Sequence, residues 1–177
     1  MKAIHSAVVA TCLLVSCGKK ETAATAVREA AAPSSALQSV LAAAPVGDAQ
    51  EIHVIRQTAK PGDEITISGK IMGNAKPFVD GRAAFTLADP SIITPCNENP
   101  DDACETPWDA CCDTKEEKLI GLASVQVLGD DGRVLKEGLE GVGKLSNLTR
   151  VTVTGKVADG SSADSLVVNA TAIRVNP

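Results

Sequence analysis

Two hexapeptides in distant parts of the chain carry one pattern, Thr66-Ile67-Ser68-Gly69-Lys70-Ile71 and Thr152-Val153-Thr154-Gly155-Lys156-Val157. In each, β-branched apolar residues alternate with polar ones, the period of two that marks a half-buried strand. Each also places a glycine mid-strand, where it ordinarily weakens a sheet by leaving nothing to pack. A glycine at the same register in two strands predicts a bulge or sharp coil in both. Small barrels need that bend to close.

Around these two segments, Glu64–Met72 and Arg150–Ala158, four more predicted strands follow from the same patterning. They are Ile52–Arg56, Arg82–Ala88, Leu119–Leu128 and Leu166–Val175. Asp130-Asp131-Gly132 is a tight-turn signal that returns the chain into Arg133–Lys136. Gly138, Gly141 and Gly143 reduce the stretch 136–148 to a turn or short helix. The expected class is all-β. Five main strands, glycine kinks in the first and fourth, and a long third-to-fourth connection resemble the OB-fold. The likeness is to secreted bacterial OB-fold proteins and to lipoproteins carrying an OB-like domain, and it covers roughly residues 60–176. It implies a five-stranded barrel in which Glu64–Met72 lies beside Arg150–Ala158, with Gly69 and Gly155 on neighbouring strands. The alternative is a β-sandwich, with Ile52–Arg56 as an additional strand.

Residues 1–16 read as a signal peptide, with Lys2 as the positive region and an apolar stretch too short to span a bilayer. Leu14-Val15-Ser16-Cys17 resembles the bacterial lipobox at all four positions. The resemblance implies cleavage before Cys17 and lipidation of its thiol, hence a chain anchored in the cell envelope and facing the periplasm or the cell surface. Gly18 stands where an aspartate resembles an inner-membrane retention signal, so the outer membrane is the implied address. Residues 17–50, alanine-rich and broken by Pro33 and Pro45, read as a flexible tether. Within it only Ser34–Ala44 has helical spacing, through Leu37, Val40 and Leu41. The folded domain is expected over residues 51–177.

Between the second and third barrel strands lies an insertion, residues 89–118, too long for an ordinary ordered connection. Of the six cysteines, Cys12 leaves with the signal and Cys17 takes lipid, so Cys96, Cys104, Cys111 and Cys112 remain, all inside this insertion. Outside the cytoplasm the simplest expectation is two disulfides. A bond between adjacent Cys111 and Cys112 would strain a small ring, so Cys96 and Cys104 are each expected to pair with one of them. The rival is a thiolate site for zinc or a soft metal, or a redox centre. The spacing C-x7-C-x6-C-C lacks a CxxC knuckle and a nearby histidine, so no metal or cofactor is assigned from sequence. The insertion is also acidic, which could suit calcium, but it has no D-x-D-x-D-G loop.

Other chemistry is poorly furnished. His53 is the sole imidazole left after signal removal, with no evident carboxylate partner, and nucleophile elbows, zinc helices and phosphate loops are missing from the sequence. No catalysis is expected. From Glu51 onward 13 basic residues face 19 acidic ones, a net charge of −6, and aromatic residues number three, Phe78, Phe85 and Trp108. Single-stranded nucleic acid needs cationic grooves and stacking rings, so it is not an expected partner despite the OB likeness. Phe78, Phe85 and Trp108 are the candidate binding residues. Trp108 is expected to pack against the bridged cysteines, or else to stand exposed as a partner anchor. The function expected is therefore a lipid-anchored OB-like module for binding or envelope organisation. A thiolate metal or redox lipoprotein, and an oligonucleotide or oligosaccharide binder, are the alternatives.

Overall fold

The computed structural model describes residues 32–99 and 104–177, so the signal peptide, Cys17 and the first part of the tether lie outside the described residues. Helix α1 (Ser35–Ala42) and the two-residue strand β1 (Gln50–Glu51) precede a single-turn helix, α2 (Ile52–Ile55). Strands β2 (Glu64–Ile71) and β3 (Ala84–Ala88) follow, then α3 (Lys115–Gly121), β4 (Leu122–Gln126), β5 (Arg150–Val157) and β6 (Leu166–Val175). The strand order β2-β3-β4-β6-β5 closes where β5 pairs with β2. Every contact is antiparallel except β4 with β6, which is parallel. This is a closed, OB-like barrel. The short β1 adds a parallel strand along β2 at Ile67 and Ser68, below the point where β3 joins.

Both glycines lie on the strand pair that closes the barrel. Along the β2–β5 ladder Ile65 faces Gly155 and Gly69 faces Val151, so the two glycines sit at opposite ends of one strand pair. The β5–β6 register slips between Thr154 and Gly155, the irregularity that bends the strand. A side chain at Gly69 would lie 2.6 Å from the Ala88 carbonyl oxygen. The polar partners in the motif are used as well: Thr66 and Thr154 face each other with hydroxyls 2.7 Å apart, both bonded to the backbone of Val46.

Inward residues alternate as the strand pattern requires, with Ile65, Ile67, Phe85, Val125, Val153 and Val168 in the main core. Two predicted elements change character. Ile52–Arg56 is helical rather than extended, because Ile52 and Ile55 share one buried face while Val54 points to solvent. The expected strand Leu119–Leu128 begins only at Leu122. Its first part belongs to α3, whose capping box joins Thr114 and Glu117. The helix foreseen within Ser34–Ala44 forms, with Ser34 as its N-cap, and buries Leu37 completely in the barrel core. Part of the stretch that composition assigns to the tether, α1, thus packs on the barrel.

Candidate functional site

The outward faces of β3, β4 and β6 make one continuous floor. Across it Ala84 pairs with Gln126 and Gln126 with Asn169, while Thr86 pairs with Ser124 and Ser124 with Val167. The side chains are small or amide-bearing, and Gln126 Nε2 donates to Asn169 Oδ1 at 2.7 Å. No aromatic ring stands among them. Two adjoining hollows of about 420 and 940 Å³ run over this floor, and a third of about 580 Å³ beside α1 reaches it at Asn169. The first two share Ser124, and the last two share Leu128 and Asn169.

The rim is cationic although the domain is acidic. Arg56, Lys115 and Lys118 line the first hollow against Asp164, and Arg82, Arg133 and Lys136 line the second against Asp131. None of these six cations forms a salt bridge within 4 Å among the described residues. Arg56 is held by the carbonyls of Leu122 (2.7 Å) and Ala163 (3.0 Å), with its buried Nε unpartnered. Burial lowers its guanidinium from the ordinary value and Asp164 partly offsets this. An arginine remains charged under any such shift. Six cations against two aspartates make the groove locally positive although the domain's net charge is negative.

Phe78 and Phe85, the candidate stacking rings, pack against each other with centroids 6.0 Å apart; Phe85 is buried in the core, while Phe78 borders a hollow of about 280 Å³. Trp108 is half-buried in a second small core with Met72, Ile93 and Ala110, and its Nε1 donates to the Ala75 carbonyl. It also lines the hollow that Phe78 borders.

No protein-family model, no curated protein and no solved structure matches the chain. The reading of the site therefore stands on its geometry.

His53 does have a carboxylate partner. Asp89 Oδ2 accepts from the His53 backbone N–H at 3.1 Å and from Nδ1 at 2.9 Å. Its Oδ1 accepts from the backbone and hydroxyl of Ser91 at 3.0 and 2.6 Å. Asp89 is fully buried, and although desolvation alone would raise its pKa, the hydrogen bonds from Ser91 and His53 lower it. Ser91 and Asp89 both approach Nδ1, at 3.5 and 2.9 Å. Nucleophilic catalysis requires the hydroxyl on one ring nitrogen and the carboxylate on the other. This constellation instead fastens α2 to the start of the insertion. The sequence did carry a signal for it, since Asp89-Pro90-Ser91 is an Asx-turn pattern.

The insertion brings its cysteines together and bonds none of them as disulfides. Sγ of Cys96 lies 3.6 Å from that of Cys111, which lies 3.9 Å from that of Cys112. The sulfurs of Cys96, Cys104 and Cys111 all lie within 4.8 Å of one another. One thiophilic cation could be shared by such a group.

Proposed function

We propose that the chain is a lipid-anchored, extracytoplasmic binding module whose OB-like barrel holds an anionic glycan of the cell envelope in the groove over β3, β4 and β6. The observation that carries this reading is the combination of a small, hydrogen-bonding floor with six rim cations, on a domain whose net charge is negative. Amide and hydroxyl groups match sugar hydroxyls, and spaced cations match repeated carboxylates or phosphates. A bare floor without rings supports a glycan over a single-stranded nucleic acid, which stacks its bases. The lipobox residues Leu14 to Cys17 support the anchored, extracytoplasmic address. Binding alone, without catalysis, accounts for the groove.

The test titrates the full chain with labelled polygalacturonate, neutral dextran and single-stranded DNA at low salt. Binding to the carboxylated polymer alone, weakened by salt and by Lys115→Glu with Lys118→Glu, is the expected result. Equal binding to dextran, or affinity unchanged in the charge-reversed chain, would overturn the reading. Selective binding of DNA would move the function to the nucleic-acid alternative.

A further inference from the structure

The insertion carries a second site, independent of the groove. Its frame is held without covalent help. The backbone N–H of Cys96 donates to the Asp109 carbonyl at 2.8 Å and that of Asn97 to the Pro107 carbonyl at 3.0 Å, clamping the two arms together. Thr94 N–H donates to Asp113 Oδ2 at 2.9 Å, closing the base of the loop. Lys70, 7% exposed on β2, reaches Glu98 Oε1 at 2.6 Å and pins the turn bearing Cys96 to the barrel. On the other arm Gly73 N–H donates to the Trp108 carbonyl at 2.9 Å, and the next turn buries Ala110 beside Cys111.

These ties fix where the Cys96 and Cys111 thiols stand. Four ligands around a metal with bonds to sulfur of about 2.3 Å sit about 3.8 Å apart, the edge of the tetrahedron. The separations of 3.6 and 3.9 Å about Cys111 bracket that edge. A bound cation would compensate the charge of the coordinating thiolates while their protons leave to solvent. We propose that Cys96, Cys104 and Cys111 form a thiolate site for a closed-shell thiophilic cation, zinc(II) or copper(I), with Cys112 placed to supply the fourth sulfur. The flanking carboxylates of Asp109 and Asp113 are engaged by backbone N–H groups, so sulfur is the donor the site presents.

The experiment isolates the full chain without reductant or chelator and weighs it intact by native mass spectrometry, before and after denaturing alkylation. The site predicts one metal per chain and alkylation of Cys96, Cys104, Cys111 and Cys112 once the metal is stripped. Separate titrations with zinc(II) and with copper(I) under anaerobic conditions identify which cation the sulfurs prefer, and tight stoichiometric uptake of either supports the site. Cys96→Ser, Cys104→Ser and Cys111→Ser should each weaken uptake by more than about 100-fold, beyond the loss expected for an outer-shell partner. Cys112→Ser should cost less. Circular dichroism of each variant separates loss of the ligand from loss of the fold, and Cys104→Ala repeats the test at the position outside both clamped turns. A chain lacking two pairs of hydrogens and refusing alkylation would overturn the proposal in favour of disulfides. Uptake unchanged in the three serine variants would overturn it as well.

Discussion

A β-carbon built on Gly155 would stand 2.4 Å from the Asn169 carbonyl oxygen, at the step where the register between β5 and β6 slips. The obstacle is backbone on the neighbouring strand, so no side chain can move aside to admit a methyl group. The glycine is required by the close approach of two strands rather than by its own backbone angles. Gly155→Ala should therefore destabilise the barrel by about 3 kcal/mol, the upper end of overpacking costs. Gly138→Ala, in open space, should stay within about 0.5 kcal/mol. Urea denaturation of both variants checks the contrast, and equal midpoints would remove the strand-approach explanation.

Asp89 predicts a pH dependence of definite sign. Its carboxyl is held below its ordinary value in the folded chain, chiefly because four hydrogen bonds outweigh desolvation. A depressed carboxylate contributes stability that is complete above the unfolded pKa and is lost as pH falls through the folded one. Stability should hold at neutral pH and decline below about pH 4, near the unfolded value for aspartate. Asp89→Asn should cost about 1–3 kcal/mol at pH 7, since one donor from His53 loses its acceptor. It should also flatten the acid limb. A variant whose acid slope matches the parent would assign that slope to other groups.

Leu37 tests whether α1 is part of the folded unit. It is fully buried by α1 against the barrel, so Leu37→Ala should cost about 2–5 kcal/mol. A residue in a loose tether would cost nothing. Thermal unfolding of the variant decides between the two.

These cases show what the sequence made legible. The two hexapeptides announced their strands and the irregularity at Gly155, because period and glycine are local signals, whereas the neighbouring placement of the strands was implied by the OB-fold resemblance. Leu37, Val40 and Leu41 announced a helix, but alanine-rich surroundings hid that it has a partner face. Ile52 to Ile55 is too short for periodicity to separate strand from helix. What decides it is Asp89, which accepts the His53 N–H from far along the chain. The cysteine insertion was visible as a cluster, yet which sulfurs meet depends on backbone ties between Cys96 and Asp109 that no spacing rule contains.

The proposed lipid anchor would sit on Cys17. Each acyl methylene transferred to the bilayer is worth about 0.8 kcal/mol, so two or more chains hold a protein on a membrane stably. Cys17→Ala should move the chain from the membrane fraction to the soluble fraction of a bacterial host. An unchanged distribution would remove the lipid from the proposed function.

Ser124 offers a test of the groove that leaves its charges untouched. The residue is exposed, lies between Thr86 and Val167 on the floor, and is shared by two of the hollows. Tryptophan suits an extended backbone, and here it would project outward and fill the groove rather than enter the core. Ser124→Trp should change stability by no more than about 0.5 kcal/mol, as for other surface positions. Its affinity for polygalacturonate should fall by about tenfold or more, a change of roughly 1.4 kcal/mol or above. The same ring would supply what the parent floor lacks, because stacking on an aromatic side chain is worth about 1–3 kcal/mol per base. A gain in single-stranded DNA binding together with lost glycan binding would show that ring content, on one and the same barrel face, decides which anionic polymer is held. Unchanged glycan affinity in a folded Ser124→Trp chain would place the ligand elsewhere on the molecule.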